Sequence, residues 1–112
     1  MLEINNNIIQ LTRGDTAKIV VTIKNANGTT YNPQEGDAIH FFMKKKYSDE
    51  DPVLIKTIPT DTLLLEIEPT DTATLPYGIY VFDIEMIFAN GDIDTFIQGK
   101  FILNEEAGTW IS

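Results

Sequence analysis

Apolar and polar side chains alternate singly along most of this chain. Ala17, Ile19, Val21 and Ile23 interleave with Lys18, Val20, Thr22 and Lys24, and Ile39, Phe41 and Met43 with His40, Phe42 and Lys44. Leu63, Leu65 and Ile67 follow the same rule, and Tyr80, Phe82, Ile84, Met86 and Phe88 form the longest series, with Asp83 and Glu85 on the opposite face. A period of two marks strands with one face buried. Turn residues break the runs at Asn27-Gly28, Asn32-Pro33, Glu35-Gly36-Asp37, Asp51-Pro52, Pro59, Pro69, Pro76-Tyr-Gly78 and Asn90-Gly91. No stretch keeps a helical period, and about seven short strands in such a length mean a sandwich or barrel. The expected core is Ile19, Val21, Ile23, Ile39, Phe41, Leu65, Ile67, Tyr80, Phe82, Ile84, Met86, Ile97 and Phe101. The pattern predicts one domain over residues 1–112, with its core at 8–106 and a tail at 107–112.

One hairpin can be registered from its turn. Asn90-Gly91 suits a two-residue type I′ turn, in which both positions take positive φ. That register pairs Phe88 with Ile93, Met86 with Thr95, Ile84 with Ile97 and Tyr80 with Phe101, all on one face. Its outward face then carries Val81, Asp83, Glu85 and Ile87 opposite Lys100, Gln98, Phe96 and Asp94. Phe42 faces outward on a strand that a sandwich places beside this hairpin. Phe42, Val81, Ile87 and Phe96 are therefore the candidate interaction face, an apolar patch rimmed by acidic groups.

Immunoglobulin-like sandwiches carry a corner tyrosine at the start of their sixth strand, its hydroxyl bonded to backbone a few residues upstream. Tyr80, after Pro76-Tyr-Gly78, occupies that place. The fold class expected is thus an all-β, immunoglobulin-like antiparallel sandwich of about seven strands. Pro-Thr-Asp-Thr occurs at 59–62 and again at 69–72, without matching strands around the copies, and reads as recurring turn chemistry.

Composition narrows the function. Eight basic against 17 acidic residues give a net charge of −9, which disfavours nucleic acid, whose recognition runs on Lys and Arg neutralising phosphates. Lys44-Lys45-Lys46, the one basic cluster, reads as a solvated strand end. With no cysteine there is no disulfide, thiolate-bound zinc or thiol nucleophile. No segment has the roughly 18 consecutive apolar residues of a membrane span, and Met1-Leu-Glu-Ile-Asn-Asn-Asn lacks the basic and apolar regions of a signal peptide. The single histidine, His40, has no second histidine or cysteine to share a metal or triad with and points away from the core. Asp49-Glu50-Asp51 and the pair Asp92 and Asp94 lack the spacing of a calcium loop. The expectation is no enzyme, no cofactor and no metal.

Ile9-Gln-Leu-Thr-Arg-Gly-Asp-Thr16, Val20-Val-Thr-Ile-Lys-Asn-Ala-Asn-Gly-Thr29, Thr70 through Ile84, Asn90-Gly-Asp92 and Gly99-Lys-Phe-Ile-Leu103 together resemble a known family. It comprises small immunoglobulin-like β-sandwiches encoded by phages and prophages of Gram-positive bacteria, such as the N-terminal domain of phage baseplate upper proteins. The resemblance spans roughly residues 8–106 and rests on turn and strand signatures. It implies a non-enzymatic virion structural protein of tail, baseplate or fibre, made in the bacterial cytoplasm and working by protein–protein assembly or self-association. The alternative is a bacterial adhesion or carbohydrate-binding module. That reading needs exposed aromatics on one surface, for which Tyr47, Tyr77 and Trp110 are the loop candidates.

Arg13-Gly14-Asp15 is the tripeptide that animal integrins bind, yet here it falls between two strands. Gly supplies the permissive backbone and Asp bonds its own backbone two residues on, so all three residues are expected as a structural turn.

Overall fold

A computed structural model of the chain describes residues 3–5, 7–25 and 27–105. The fold is all-β. Its strands are β1 (Glu3–Asn5), β2 (Ile8–Thr12), β3 (Ala17–Val20), β4 (Ala38–Lys44), β5 (Leu54–Ile58), β6 (Leu64–Ile67), β7 (Gly78–Ile87) and β8 (Ile93–Asn104), with one short helix, α1 (Pro69–Thr72). Six strands form a sheet in the order β1-β2-β8-β7-β4-β5, and β3 and β6 form a separate ladder. The sheet is mixed: β2 runs parallel to β8, from Ile8 opposite Lys100 to Thr12 opposite Asn104, so the expectation of purely antiparallel pairing fails there. Alternation fixes which face of a strand is buried and is blind to strand direction.

The inner face of the large sheet and the β3–β6 ladder share one core. Ile39, Phe41 and Met43 of β4 and Tyr80, Phe82, Ile84 and Met86 of β7 are buried against Val21, Ile23, Leu65 and Ile67. Phe41 stacks on Phe82 at 5.5 Å between ring centroids and meets Phe101 edge-on at 6.4 Å. Two expected core residues, Ile19 and Ile97, are only partly buried. Ile9, Leu11, Ala17, Met43, Ile58 and Leu103 are buried as well. Ile9 and Leu11 enter the core because β2 sits beside β8, a pairing between chain segments far apart in sequence.

The last hairpin departs from the expected turn. Phe88 N–H donates to Asp92 O at 2.8 Å and Gly91 N–H to Phe88 O at 2.8 Å, leaving a three-residue loop of Ala89, Asn90 and Gly91. Only Gly91 of these takes positive φ, at 94°. This is the type I turn followed by a left-handed glycine that characterises three-residue hairpin loops. Near the turn the register is therefore Ile87 with Ile93 and Met86 with Asp94, whereas Ile84 with Ile97 and Tyr80 with Phe101 match the expectation. The two registers are reconciled by a β-bulge between Ile84 and Glu85 that leaves Phe96 without an opposite residue.

The repeated tetrapeptide makes the same local bond twice. Leu63 N–H donates to Pro59 O at 2.8 Å, and Ala73 N–H to Pro69 O at 3.2 Å. After the first copy the chain turns away through Leu63 at φ 55°. After the second it stays helical at Ala73, where φ is −56°. Asp71 in the second copy accepts from Glu68 N–H at 2.8 Å and from Lys56 Nζ at 2.9 Å, which fastens α1 to β5.

Candidate functional site

Outward side chains of the large sheet form its candidate site, and the strand register places each of them. Thr57, His40, Glu85 and Thr95 lie in one row across β5, β4, β7 and β8, and Ile55, Phe42, Asp83 and Gln98 in the next. Ala38, Ile87 and Ile93 form the row toward the hairpin end, and Lys44, Val81, Lys100 and Ile8 the row on the other side. Ile79 opposite Ile102 follows below. Phe42, Val81 and Ile87 thus share this face as expected and are half-buried.

Phe96 does not join them. The bulge turns it inward, where it packs against the core as a partly buried side chain. Ile93 takes its place on the outer face with 63% of its surface exposed. Sequence reasoning missed Ile93, Ile55 and Ile79, which are respectively 63%, 54% and 57% exposed. For Ile79 the signal was available, since it continues the odd-numbered series Val81, Asp83, Glu85 and Ile87. Ile55 had none, because both faces of Leu54-Ile-Lys-Thr-Ile58 carry apolar residues.

The acidic groups lie within the face rather than around it. Val81 and Ile87 are six residues apart on one strand, a separation of about 20 Å, and Asp83 and Glu85 stand between them. Gln98 Nε2 donates to Asp83 Oδ1 at 3.2 Å. Tyr47, 51% exposed, points its hydroxyl at the carbonyls of Phe82 and Gly99, 3.5 and 3.4 Å away. Burial, and then the charge of Asp83, push its pKa up. His40 faces outward beside Phe42, with ring centroids 5.9 Å apart, and its buried Nδ1 has no partner among the described residues. On β7, β8 and β2 the result is two apolar clusters, Ile87 with Ile93 and Val81 with Ile8, Ile79 and Ile102, divided by Asp83, Glu85, Thr95 and Gln98, while Phe42 and Ile55 stand on the β4–β5 side of the same rows.

The other sequence candidates fall elsewhere. Arg13-Gly14-Asp15 is a turn: Asp15 N–H donates to Thr12 O at 3.0 Å and Gly14 has φ 85°, the geometry of a type II turn with glycine at its third position. Gly14 N–H donates to the buried Thr72 Oγ1 at 3.0 Å. The Arg13 guanidinium donates to Tyr77 Oη at 2.8 Å and to Leu75 O at 3.4 Å, and lies 4.2 Å from the Tyr77 ring centroid. The tripeptide is engaged with its own chain. Tyr80 Oη donates to Pro76 O at 2.6 Å, the bond a corner tyrosine makes, and burial pushes its pKa up. Tyr47 and Tyr77 serve different neighbours, one over the outer face and one under Arg13, and Trp110 lies outside the described residues. Lys44 ends β4 and donates to Asp49 O at 2.8 Å, while Lys45 Nζ stands 4.7 Å from the Tyr80 ring.

Among the described residues no three acidic or histidine side chains converge to hold a metal ion, and no helix is long and apolar enough to cross a membrane. No protein-family model, no curated protein and no solved structure matches the chain.

Proposed function

We propose that this chain is a non-enzymatic structural protein of a phage or prophage virion, built as an immunoglobulin-like sandwich and acting through protein–protein assembly. The observation that carries the reading is the outer face of the large sheet, where Ile55, Ile79 and Ile93 are each more than half exposed on one six-stranded surface. Apolar side chains gathered on one wet face, with charges set among them, suit a docking surface whose polar groups fix the register of a partner. The fold part of the proposal is supported by the order β2-β8-β7-β4-β5 facing a β3–β6 ladder, and by the Tyr80–Pro76 bond. The virion part is supported by the sequence resemblance over residues 8–106.

Mass spectrometry of particles purified after prophage induction of the encoding strain tests it. The chain should be present in fixed ratio to the other particle proteins. Ile79→Lys with Ile93→Lys should leave the fold intact and remove the chain from the particles. Particles that lack the wild-type chain, or that incorporate the double variant at wild-type level, would refute the proposal.

A further inference from the structure

We propose that the open edge of β3 is a strand-exchange site, filled in solution by the β1 segment of a second copy of this chain. Ala17 pairs with Ile67 and Ile19 with Leu65, and in the same register Val21 N–H donates to Leu63 O at 2.8 Å. In an antiparallel ladder the bonded residues alternate. Ala17, Ile19 and Val21 therefore aim their backbone groups at β6, while Lys18, Val20 and Thr22 aim theirs the other way. Among the described residues no strand stands on that side. Val20, at its centre, is 69% exposed.

Beside this edge opens a cavity of about 160 Å³ lined by Asn7, Ile9, Ile19, Val21, Phe82 and Ile97. A row of backbone donors and acceptors next to an apolar hollow is what an extended strand recognises: the ladder gives affinity and alternate side chains fill the hollow. The partial exposure of Ile19 and Ile97, both expected in the core, has the same cause.

Charge and pattern identify the occupant. Residues 16–25 contain Lys18 and Lys24 and no acidic residue, in a chain whose net charge is −9. Leu2-Glu3-Ile4 alternates apolar, acidic, apolar. In an exchanged strand that offers its apolar pair, Leu2 and Ile4, to the cavity, Glu3 would fall on the face that carries Lys18, whose Nζ already stands 3.7 Å from Glu66 Oε2 in an exposed pair. The segment is also weakly committed where it stands, since β1 is three residues long and pairs with β2 alone. It joins β2 through Asn5-Asn6-Asn7, and Asn7, at φ 61°, lines the cavity itself. While β1 is folded back on β2, its own groove stays open. Reciprocal exchange between two copies would fill both grooves and close the pair about a two-fold axis.

The experiment is amide hydrogen exchange across a concentration series, read beside light scattering. The amides of Lys18 and Val20 should gain protection as concentration rises, in step with a mass doubling from 12.6 kDa. Val20→Pro removes an N–H that β6 does not use, so it should abolish the doubling and keep the Tm that the wild type shows at concentrations where it is monomeric. Deleting residues 1–5 should do the same. Protection at Lys18 and Val20 that is independent of concentration would place the chain's own segment in the groove and overturn the proposal. So would exchange that stays fast at every concentration, or a dimer that survives Val20→Pro.

Discussion

Tyr80 donates its hydroxyl hydrogen to the Pro76 carbonyl at 2.6 Å, four residues back, from a ring with 1% of its surface exposed. The bond locks the entry to β7, the strand on which both the core and the outer face are registered. Tyr80→Phe should cost about 1 kcal/mol, a fall in Tm of roughly 4–8 °C. Thermal unfolding followed by circular dichroism checks it, and an unchanged Tm would mean that the bond contributes nothing.

Phe82 lies 2% exposed between Phe41 and the β3–β6 ladder. Phe82→Ala should cost about 3–5 kcal/mol through lost transfer energy and the cavity left behind. Urea denaturation reads it from the shift in midpoint at unchanged slope.

Phe96 and Ile93 are three residues apart on β8 and should respond oppositely to lysine. Phe96→Lys forces a charge toward the core and should lower Tm strongly. Ile93→Lys sits on the wet face and should change stability by less than about 0.5 kcal/mol. The reverse order, with Ile93→Lys the costlier, would restore the unbulged register, in which Ile93 faces the core and Phe96 the solvent, and would remove the bulge.

Gly99 is required by space. A Cβ there would run into the carbonyl of Asn7, whose oxygen accepts from Lys100 N–H at 3.1 Å. Gly99→Ala should push β2 off β8 and cost about 1–3 kcal/mol. The loss should appear first as faster amide exchange at Lys100. A variant with wild-type exchange there would show that the two backbones are not so close.

Asp37 accepts from Tyr31 Oη at 2.6 Å, Gln34 N–H at 2.8 Å and Ala89 N–H at 3.1 Å, tying the segment before β4 to the hairpin loop. The Tyr31 hydroxyl first, and then the backbone donors, hold its carboxyl below the ordinary Asp range, while the bond to Asp37 pushes the Tyr31 pKa up. A lowered carboxylate pKa stabilises the fold above the unfolded value of about 3.9, and that contribution is lost as pH falls through the folded value. A raised tyrosine pKa stabilises below about 10, and is lost as pH rises through the folded value. The gap in urea midpoint between the wild type and Asp37→Asn should therefore be widest near neutrality and narrow at both extremes. A gap independent of pH would show that the carboxylate charge is immaterial.

Much of the fold was legible because a period of two needs only a buried face, and β4 and β7 each have one. The lower part of the last hairpin was legible for the same reason. Its tip was not: Asn90-Gly91 fits two turn types, and choosing the three-residue loop obliges the chain to absorb one residue farther down. That residue is Phe96, and the choice moved it from the outer face to the core. β2 was legible as a sequence signature but not as the parallel neighbour of β8, because the pairing depends on Gly99 admitting Asn7, a contact that no local pattern encodes. The outer face was half legible: Phe42, Val81 and Ile87 are turned outward as expected, and the order Val81, Asp83, Glu85, Ile87 along one strand already divides the patch, whereas Ile55 and Ile93 join it only through the strand register.

The parallel pairing of Ile8–Thr12 with Lys100–Asn104 also bears on how the chain comes to be folded. Loop closure between segments so distant in sequence is slow, because the chain entropy is lost before the contact rewards it. During synthesis β2 emerges well before β8, its partner. Ile9 and Leu11 must wait for this neighbour until Lys100–Asn104 has left the ribosome. The first strand of the core is thus fixed last, and a nascent chain truncated before Lys100 has no means of burying it.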